Sequence, residues 1–361
     1  MMKKILIFTF ALFLVFGMTF NSNAQSNENL SVMTAKAFSM GGAFTAVADD
    51  VGAVLFNPAG LTQSGIVGFQ GNAGVSGVDQ FNNYTKLAEL LDEEDIDIND
   101  AKEIETKFST LMDSSVGMQA FAGANLKSVA LSGNIKSDYT IKEGTNNDEK
   151  VFENNNDISA IISYGSKLAS TPADITSLAY GFNIKMTQHN YIKYDYNISK
   201  NETTNEIVAK GNSIDLDFGV LAKMTDVLKV GAQIENLYSS GYDLEENGNM
   251  VKSDIMPKRN MIIGASFEIP VIGTTLAADL ENIGPVSESD EMIYHLGVQQ
   301  NLFLNLISLR AGTYGPEING DDSTYTAGIG INLTKLHLDA AVGTDKSGDN
   351  MSGMVSGRFK F

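Results

Sequence analysis

Residues 351–361, MSGMVSGRFKF, indicate the fold of the chain. The apolar residues Val355, Phe359 and Phe361 fall in one phase of a two-residue period, with Gly357 in the same phase, and polar residues lie between them. A period of two predicts a β-strand whose two faces meet different surroundings. The stretch ends on Phe361, as outer-membrane barrels commonly do, and we expect the barrel assembly machinery to bind this end.

Residues 1–24 are typical of a secretory signal peptide. A basic Lys3-Lys4 pair precedes the apolar run 5–18, and small and polar residues lead to Ala24 and Gln25. This order predicts export and cleavage near Ala24/Gln25. A retained membrane anchor is the alternative, but the apolar run is short for a membrane span.

The composition excludes several classes of protein. The chain has no cysteine, which excludes disulfides, a lipoprotein anchor and cysteine metal sites. No run of eighteen apolar residues occurs later in the chain, so no membrane-spanning helix is predicted. The formal net charge is −19, and losing Lys3 and Lys4 with the signal peptide makes it −21. Nucleic acid is therefore excluded as a partner, because phosphate binding needs a basic surface. We expect no metal and no cofactor.

From Gly65 onward the chain consists of short alternating segments. The segment 324–333 alternates Tyr, Ala, Ile, Ile and Leu with Thr, Gly and Asn, and the segments 213–222, 228–235 and 336–343 alternate similarly. We count about fourteen such segments, each near the ten residues that a tilted strand needs to cross an outer membrane. The pattern predicts an all-β fold.

The connections between these segments alternate between short and long. Tight turns are predicted at 127–128, 225–226, 270–273 and 334–335. Long polar connections are predicted at 77–114, 139–157, 190–212 and 238–259. Transmembrane barrels have short periplasmic turns and longer outer loops, whereas a soluble sandwich has no reason to sort its loops this way. The sequence therefore predicts a transmembrane antiparallel β-barrel in the outer membrane.

Polar side chains occupy the strand face opposite the apolar one. In a barrel bathed in lipid the apolar face points outward, so these residues are predicted to line the lumen. The candidate luminal residues are Asp215, Asp217, Gln233, Glu235, His295, Arg310, His337 and Asp339. Tyr294, Tyr314 and Tyr325 lie near strand ends, where interfacial aromatic residues are expected.

Two regions depart from the alternating pattern. Residues 29–64 are small and rich in Gly and Ala, and residues 84–113 carry apolar stripes at helical spacing. The acidic run 92–100 does not match a calcium-binding loop, because no phase of it gives both a central Gly and a Glu at the twelfth position. We interpret 77–114 as the first outer loop, carrying a helical hairpin.

The segments 35–50, AKAFSMGGAFTAVADD, and 53–61, AVLFNPAGL, together resemble the N-terminal plug of the FadL-like outer-membrane transporters. They are most similar to the PorV/PorQ and TraF-like members of that group. The segments HLGV (295–298), LISLRAGTY (306–314) and YTAGIG (325–330) resemble late strands of the same group. The resemblance implies a barrel of fourteen strands at 65–361, with residues 25–64 folded into its lumen as a plug.

The residues of the plug motif have physical roles in such a plug. The motif residues are Gly41, Gly42, Ala43, Asp49, Asp50, Asn57, Pro58 and Ala59. Glycines let the backbone pass close to the wall, the two aspartates are expected to cap local turns, and Pro58 forces Asn57 out of helical geometry. The motif either only folds the plug or also gates the barrel.

The resemblance implies transport of hydrophobic small molecules across the outer membrane. The alternative is a PorV-like role in protein secretion, with exported proteins as partners instead of hydrophobic ligands. Outer-membrane lipids are expected partners in both cases. An enzyme is disfavoured, because no nucleophile elbow, zinc-protease motif or phosphate loop is present. His337, Asp339 and Arg310 are better explained as a polar luminal network than as a catalytic set.

Overall fold

The structure, a computed structural model, describes residues 32–361 except 79, 81–82, 85, 88–105, 108–110, 112–114, 145–148, 173–174, 198–199, 201, 288–290, 319 and 349. The predicted signal peptide at 1–24 and residues 25–31 of the predicted plug lie outside the described residues. In the first outer loop, the described positions between Val78 and Leu111 are helical, but most of the predicted helical hairpin also lies outside them.

The described residues form sixteen strands. The strands are β1 Val67–Ser76, β2 Ser115–Leu126, β3 Val129–Glu143, β4 Glu149–Ser170, β5 Ser177–Asn197, β6 Glu202–Lys223, β7 Leu228–Ser239, β8 Tyr242–Glu246, β9 Asn249–Ile255, β10 Asn260–Ile269, β11 Thr274–Glu281, β12 Ile293–Leu302, β13 Ile307–Gly315, β14 Thr324–Leu333, β15 Leu336–Asp345 and β16 Ser352–Lys360.

Fourteen of these strands close into a ring, which confirms the predicted all-β antiparallel barrel and its strand number. Each strand pairs with its sequence neighbour, except that β7 pairs with β10 because the β8–β9 hairpin lies outside the ring. The ring closes where β16 pairs with β1 in a register that matches Phe359 with Phe69 and Arg358 with Gln70. The carbonyl oxygen of Phe361 accepts hydrogen bonds from the backbone N–H groups of Ile66 and Val67 at this seam.

The outer face of the ring is apolar, as a lipid environment requires. Side chains such as Phe69, Ile162, Phe182, Phe267 and Ile329 are exposed there. Most of their strand neighbours point inward and are polar or small, with the buried Ile161 as an exception. This arrangement reverses that of a soluble barrel, whose apolar face would be buried.

The barrel is taller on one side than the sequence indicates. The segments 139–157 and 190–212, which were expected to be loops, lie mostly in β3, β4, β5 and β6, and the last three strands have 22, 21 and 22 residues. A strand needs about ten residues to cross the membrane, so these strands continue beyond it at the long-loop end. Alternation is lost there because both faces of the extension are polar over much of their length.

The two ends of the barrel differ, as the loop lengths predict. Tight connections occur at 127–128, 224–227, 270–273 and 334–335, and all of them lie at one end. We call this the short-turn end, which in outer-membrane barrels faces the periplasm. The long loops and the β8–β9 hairpin lie at the other end. Among the described residues, no helix is long and apolar enough to span a bilayer.

Candidate functional site

The candidate site is the lumen, which is filled by the chain's own N-terminal segment. Residues 33–61 are almost entirely buried and contain the helices Ala35–Phe38 and Ala53–Phe56 and most of the 3-10 helix Pro58–Gln63. Phe38, Met40, Phe44 and Leu61 are at most 1 % exposed and form the main apolar core with a few wall residues. The apolar core of this protein is therefore a layer between plug and wall.

Glycines on both sides allow the plug to contact the wall. Gly41 and Gly42 adopt left-handed backbone angles, with φ of 63° and 78°. A Cβ at Gly41 would lie 2.5 Å from the backbone nitrogen of Thr313. On the wall, Gly297 and Gly312 are directly paired, and a Cβ on either would collide with Met40 or Gly41. Only glycines permit this backbone-to-backbone approach.

Further luminal glycines provide space for the plug around the ring. A Cβ added at any of them would collide with a plug residue. These glycines are Gly165, Gly181, Gly219, Gly231, Gly264, Gly328 and Gly343. The sequence shows these glycines in phase with the polar residues. It does not show that the plug is what they accommodate.

Asn57 joins three parts of the molecule. It is completely buried, and its Nδ2 donates hydrogen bonds to the carbonyl oxygens of Thr45 (3.0 Å) and Val220 (2.9 Å). Its Oδ1 accepts a hydrogen bond from the backbone N–H of Ala59 at 3.1 Å. The residue is extended, with φ of −165°, as its position before Pro58 requires. Asn57 therefore ties both halves of the plug to β6.

Asp49 and Asp50 bind cations instead of capping turns with their carboxylates, contrary to our expectation. Asp50 forms a buried ion pair with Arg358 of the last strand, and Asp49 lies 2.6 Å from Lys36 Nζ. Lys360 Nζ donates to the carbonyl oxygen of Asp49 at 3.0 Å. The helix that follows, Ala53–Phe56, has Gly52 at its N-cap and no side-chain cap. Asp50 therefore anchors the plug at the short-turn end to the strand that closes the barrel, whereas the Asp49–Lys36 pair joins two parts of the plug.

His295 and Asp279 hold the glycine turn of the plug. His295 Nδ1 lies 2.8 Å from the carbonyl oxygen of Gly41, and its Nε2 lies 2.9 Å from Glu281 Oε2. Asp279 Oδ2 accepts hydrogen bonds from the backbone N–H groups of Phe44 (2.9 Å) and Thr45 (2.8 Å). The motif residues Gly42 and Ala43 lie in this turn, where Ala43 is fully buried.

Arg310 and Asp339 form a buried ion pair at 2.8 Å, and each side chain is 1 % exposed. Arg310 Nε also donates to Gln299 Oε1 at 2.7 Å. His337 bonds instead to Asn332, with 2.8 Å between Nδ1 and Oδ1. The Arg310–Asp339 pair spans β14, and the other two contacts join adjacent strands of the wall, which supports a polar luminal network.

The remaining candidate residues form a second polar group on β5, β6 and β7. Asp217 lies 3.0 Å from Lys185 Nζ and accepts a hydrogen bond from Asn183, which also donates to the carbonyl oxygen of Val54 in the plug. Gln233 is 1 % exposed and donates to Glu235. This group therefore connects the wall to the plug through Asn183.

A chain of hydrogen bonds crosses the inner face of the wall near the long-loop end. Asp157 Oδ1 lies 2.8 Å from His189 Nδ1, and His189 Nε2 lies 3.1 Å from Ser213 Oγ. The spacing matches a serine-hydrolase triad, but Ser213 donates its proton to Asp215 at 2.8 Å. The Ser213 hydroxyl proton is therefore directed at Asp215, and the arrangement is a link between β4, β5 and β6 and not an activated nucleophile.

The β8–β9 hairpin covers this link. The Tyr242 ring stacks on His189 with centroids 3.7 Å apart, and Lys252 Nζ lies 4.1 Å from the centre of the Tyr191 ring. Burial raises the pKa of Tyr242, and Asp157 and Asp215 raise it further, so its phenol stays neutral. Tyr191, Ala209 and Leu244 are at most 5 % exposed. The hairpin is thus docked by a small core of its own.

Several residues that contact the plug were not predicted from the sequence, and Tyr314 does not lie where it was predicted. The missed residues are Gln70, Asn72, Gln119, Asn183 and Asp279. All of them share the polar phase of their strands, which was the available signal. Tyr314 faces the lumen, where its ring stacks on His295 at 5.7 Å, and does not belong to an interfacial girdle. Among the described residues, no cluster of three or more His, Asp or Glu side chains has the geometry of a metal site.

Comparisons with known proteins identify the fold. No family model matches the chain, and no curated protein matches it. Solved structures do match it over nearly its whole length. The toluene transporter TodX of Pseudomonas putida has 12 % sequence identity and a TM-score of 0.57, with 92 % of this chain and 99 % of TodX covered.

Two further structures give the same result. The monoaromatic hydrocarbon channel CymD has 12 % identity and a TM-score of 0.55, over 93 % of this chain and 99 % of CymD. A FadL homologue of Pseudomonas aeruginosa has 11 % identity and a TM-score of 0.51, over 93 % and 100 %. The chain shares the fold of these FadL-type proteins. Its predicted closeness to the PorV/PorQ and TraF-like members stays a prediction.

Proposed function

We propose that this protein is an outer-membrane channel that lets small hydrophobic molecules cross the outer membrane. The observation that carries the proposal is the closed lumen: residues 33–61 fill the barrel and hydrogen-bond to its wall at many points. A general diffusion pore needs an open, water-filled lumen, whereas here the described residues 33–61 occupy the lumen. A plugged barrel instead suits solutes that need no continuous water column.

The substrate class in this proposal comes from the proteins that share the fold. TodX is described as a toluene transporter and CymD as a monoaromatic hydrocarbon channel. At 12 % identity the ligand itself does not transfer, so the proposal is limited to small hydrophobic molecules. The luminal residues of the site would then position and release the plug and would carry out no covalent chemistry.

The test is uptake in a Gram-negative host that lacks its own channel for hydrophobic compounds. Cells that express the protein should take up radiolabelled toluene, or a labelled long-chain hydrocarbon, severalfold faster than cells with an empty vector. Heat-modifiable mobility of the outer-membrane fraction confirms that the barrel is folded. Uptake equal to the empty vector for both probes, with folded protein present, would contradict the proposal.

A further inference from the structure

Four large apolar side chains project from two adjacent turns at the short-turn end. In the turn between β10 and β11, Val271 is 95 % exposed and Ile272 57 %; in the turn between β12 and β13, Phe303 is 73 % exposed and Leu304 fully exposed. The two turns are neighbours because β11 pairs with β12. The short turns at 127–128 and 334–335 instead carry Lys, Ser and Thr, and the connection 224–227 has polar Thr225 and Asp226 beside a single exposed apolar side chain, Met224.

Both turns are fixed in their outward geometry. Phe303, Leu304 and Asn305 are consecutive left-handed residues, with φ of 51°, 56° and 68°, a conformation that residues other than glycine rarely adopt. Asn332 Nδ2 donates to the carbonyl oxygen of Asn305 at 2.8 Å and holds this turn. Gln300 Nε2 donates to the carbonyl oxygen of Ile272 at 2.6 Å and holds the other. The exposed side chains therefore cannot easily fold back onto the barrel.

The polar pair between the two turns has its hydrogen bonds satisfied within the protein. Gln300 donates to the carbonyl oxygens of Ile272 and Asn301 and accepts a hydrogen bond from Thr274 Oγ1 at 2.6 Å. Thr274 is 8 % exposed. Polar groups are costly in hydrocarbon only when they lack partners, so this pair tolerates a lipid environment.

A groove lies on the outer face above these turns. Its volume is about 650 Å³, and it is lined by residues of β10 to β14 and by Leu228 at the start of β7. The small side chains of Ala278 and Ala311 line it beside the larger Phe267, Leu276 and Val298. The groove is continuous with the lipid-facing surface of the barrel, and that surface leads down to the two turns.

We infer that this sector of the barrel binds a phospholipid of the periplasmic leaflet. An acyl chain of the lipid occupies the groove, and the turns at 270–273 and 303–306 lie within the acyl region of that leaflet. The occupant is lipid because the groove and the turns continue the apolar belt that already faces the membrane, and because the intervening polar pair has partners. The inference rests on the barrel's place in a membrane and is independent of what the barrel transports.

Site-specific fluorescence tests the position of the turns. The chain has no cysteine, so a single cysteine can be labelled without background. A Leu304→Cys variant carrying an NBD label is reconstituted in vesicles of phosphatidylethanolamine and phosphatidylglycerol, and Ser128→Cys on a polar turn is the control. The label at 304 should be quenched severalfold more by lipids spin-labelled on the acyl chain than by iodide, and the label at 128 should show the reverse.

A second labelling site lies in the turn between β10 and β11, so the quenching result does not depend on the left-handed residues 303–305 alone. Val271→Cys should behave like Leu304→Cys. If iodide reaches the labels at 271 and 304 as readily as at 128, the turns lie in water and form a docking surface for a periplasmic protein, and the inference is wrong.

Native mass spectrometry tests the groove. Ala311→Leu fills it, and Ala122→Leu places the same side chain on the outer face of β2, far from it. Ala311→Leu should retain severalfold less phospholipid than the unaltered protein or Ala122→Leu. Equal retention by both variants would show that the groove holds no specific lipid. Neither the quenching nor the mass-spectrometry measurement depends on hydrocarbon uptake. Failure of the lipid-binding inference is therefore distinguishable from failure of the proposed function.

Discussion

At Gly312 the absence of a side chain determines how close the plug lies to the wall. A Cβ there would collide with the backbone of Met40 and Gly41, and the paired Gly297 meets Met40 in the same way. Backbone cannot move aside as a flexible side chain can. The plug can therefore lie this close to the wall only because these glycines carry a hydrogen atom where other residues carry a Cβ.

We expect Gly312→Ala to displace the plug and to destabilise the protein by roughly 1–3 kcal/mol, the range for overpacking a close contact. Planar-bilayer recordings should show more frequent openings, and the temperature at which heat-modifiable mobility is lost should fall. Gly353→Ala is the matched control, because a Cβ at this strand glycine meets nothing within 4 Å. Equal behaviour of the two variants would show that the contact is not tight.

Adjacent isoleucines on β10 test which face of the strands meets lipid. Ile263 pairs with Leu280 on the outer face and is 37 % exposed, whereas Ile262 pairs with the buried Gln233 and points into the lumen. Ile263→Arg should destabilise the folded barrel by about 1–3 kcal/mol, because arginine is costly against lipid in a depth-dependent way.

Ile262→Arg places the same side chain one residue away among luminal carboxylates and should be milder. Urea titrations of both variants in lipid vesicles give the comparison. A larger effect from Ile262→Arg would reverse the assignment of faces.

At the scale of elements, the extensions of β4, β5 and β6 form a wall beyond the membrane, and the β8–β9 hairpin covers the inner face of that wall. The hairpin contacts Tyr191 and His189 on β5 and buries Ala209 on β6 completely. Without the hairpin these residues would face the open mouth of the barrel.

Replacing residues 241–255 with a short glycine–serine turn should expose this surface and leave the ring intact, because β7 pairs with β10 directly. A cysteine at Ala209 should then react with a polar maleimide at least several times faster than in the full-length chain. Thr203→Cys, at an exposed position, should react equally fast in both backgrounds. An unreactive cysteine at 209 after the hairpin is removed would show that another part of the chain covers it.

At the scale of the whole molecule, the plug and the ring are separable in principle. The ring closes through its own ladder between β1 and β16, and no plug residue takes part in that ladder. The plug supplies most of the apolar core, yet most of the residues that face it on the wall are polar or glycine and can be hydrated once it is gone.

Deletion of residues 35–61 should therefore leave a barrel that inserts and that conducts ions roughly tenfold or more better than the intact protein, as a water-filled barrel would. Planar-bilayer recordings of both forms measure this. Equal conductance would mean that the plug does not close the lumen, and the proposed mechanism would fail with it.

The sequence by itself determined the strand phase, the number of strands in the ring, the sorting of short and long connections and the identity of the plug segment. These features could be predicted because each strand meets lipid on one face and the lumen on the other. The local sequence therefore alternates with a period of two, as at Val355 and Phe359. Where both faces are polar, as in the extensions of β4 to β6, the signal disappears and strands are mistaken for loops.

Only the tertiary structure decided which residues meet across the lumen. Arg358 and Asp50 lie 308 positions apart, and His295 and Gly41 lie 254 apart. Such contacts exist only after the ring closes around the plug. The sequence showed that Asp279 and Gly312 share the luminal phase, but the height and rotation of the plug select their partners. Those two quantities depend on packing across the whole barrel, which no local pattern encodes.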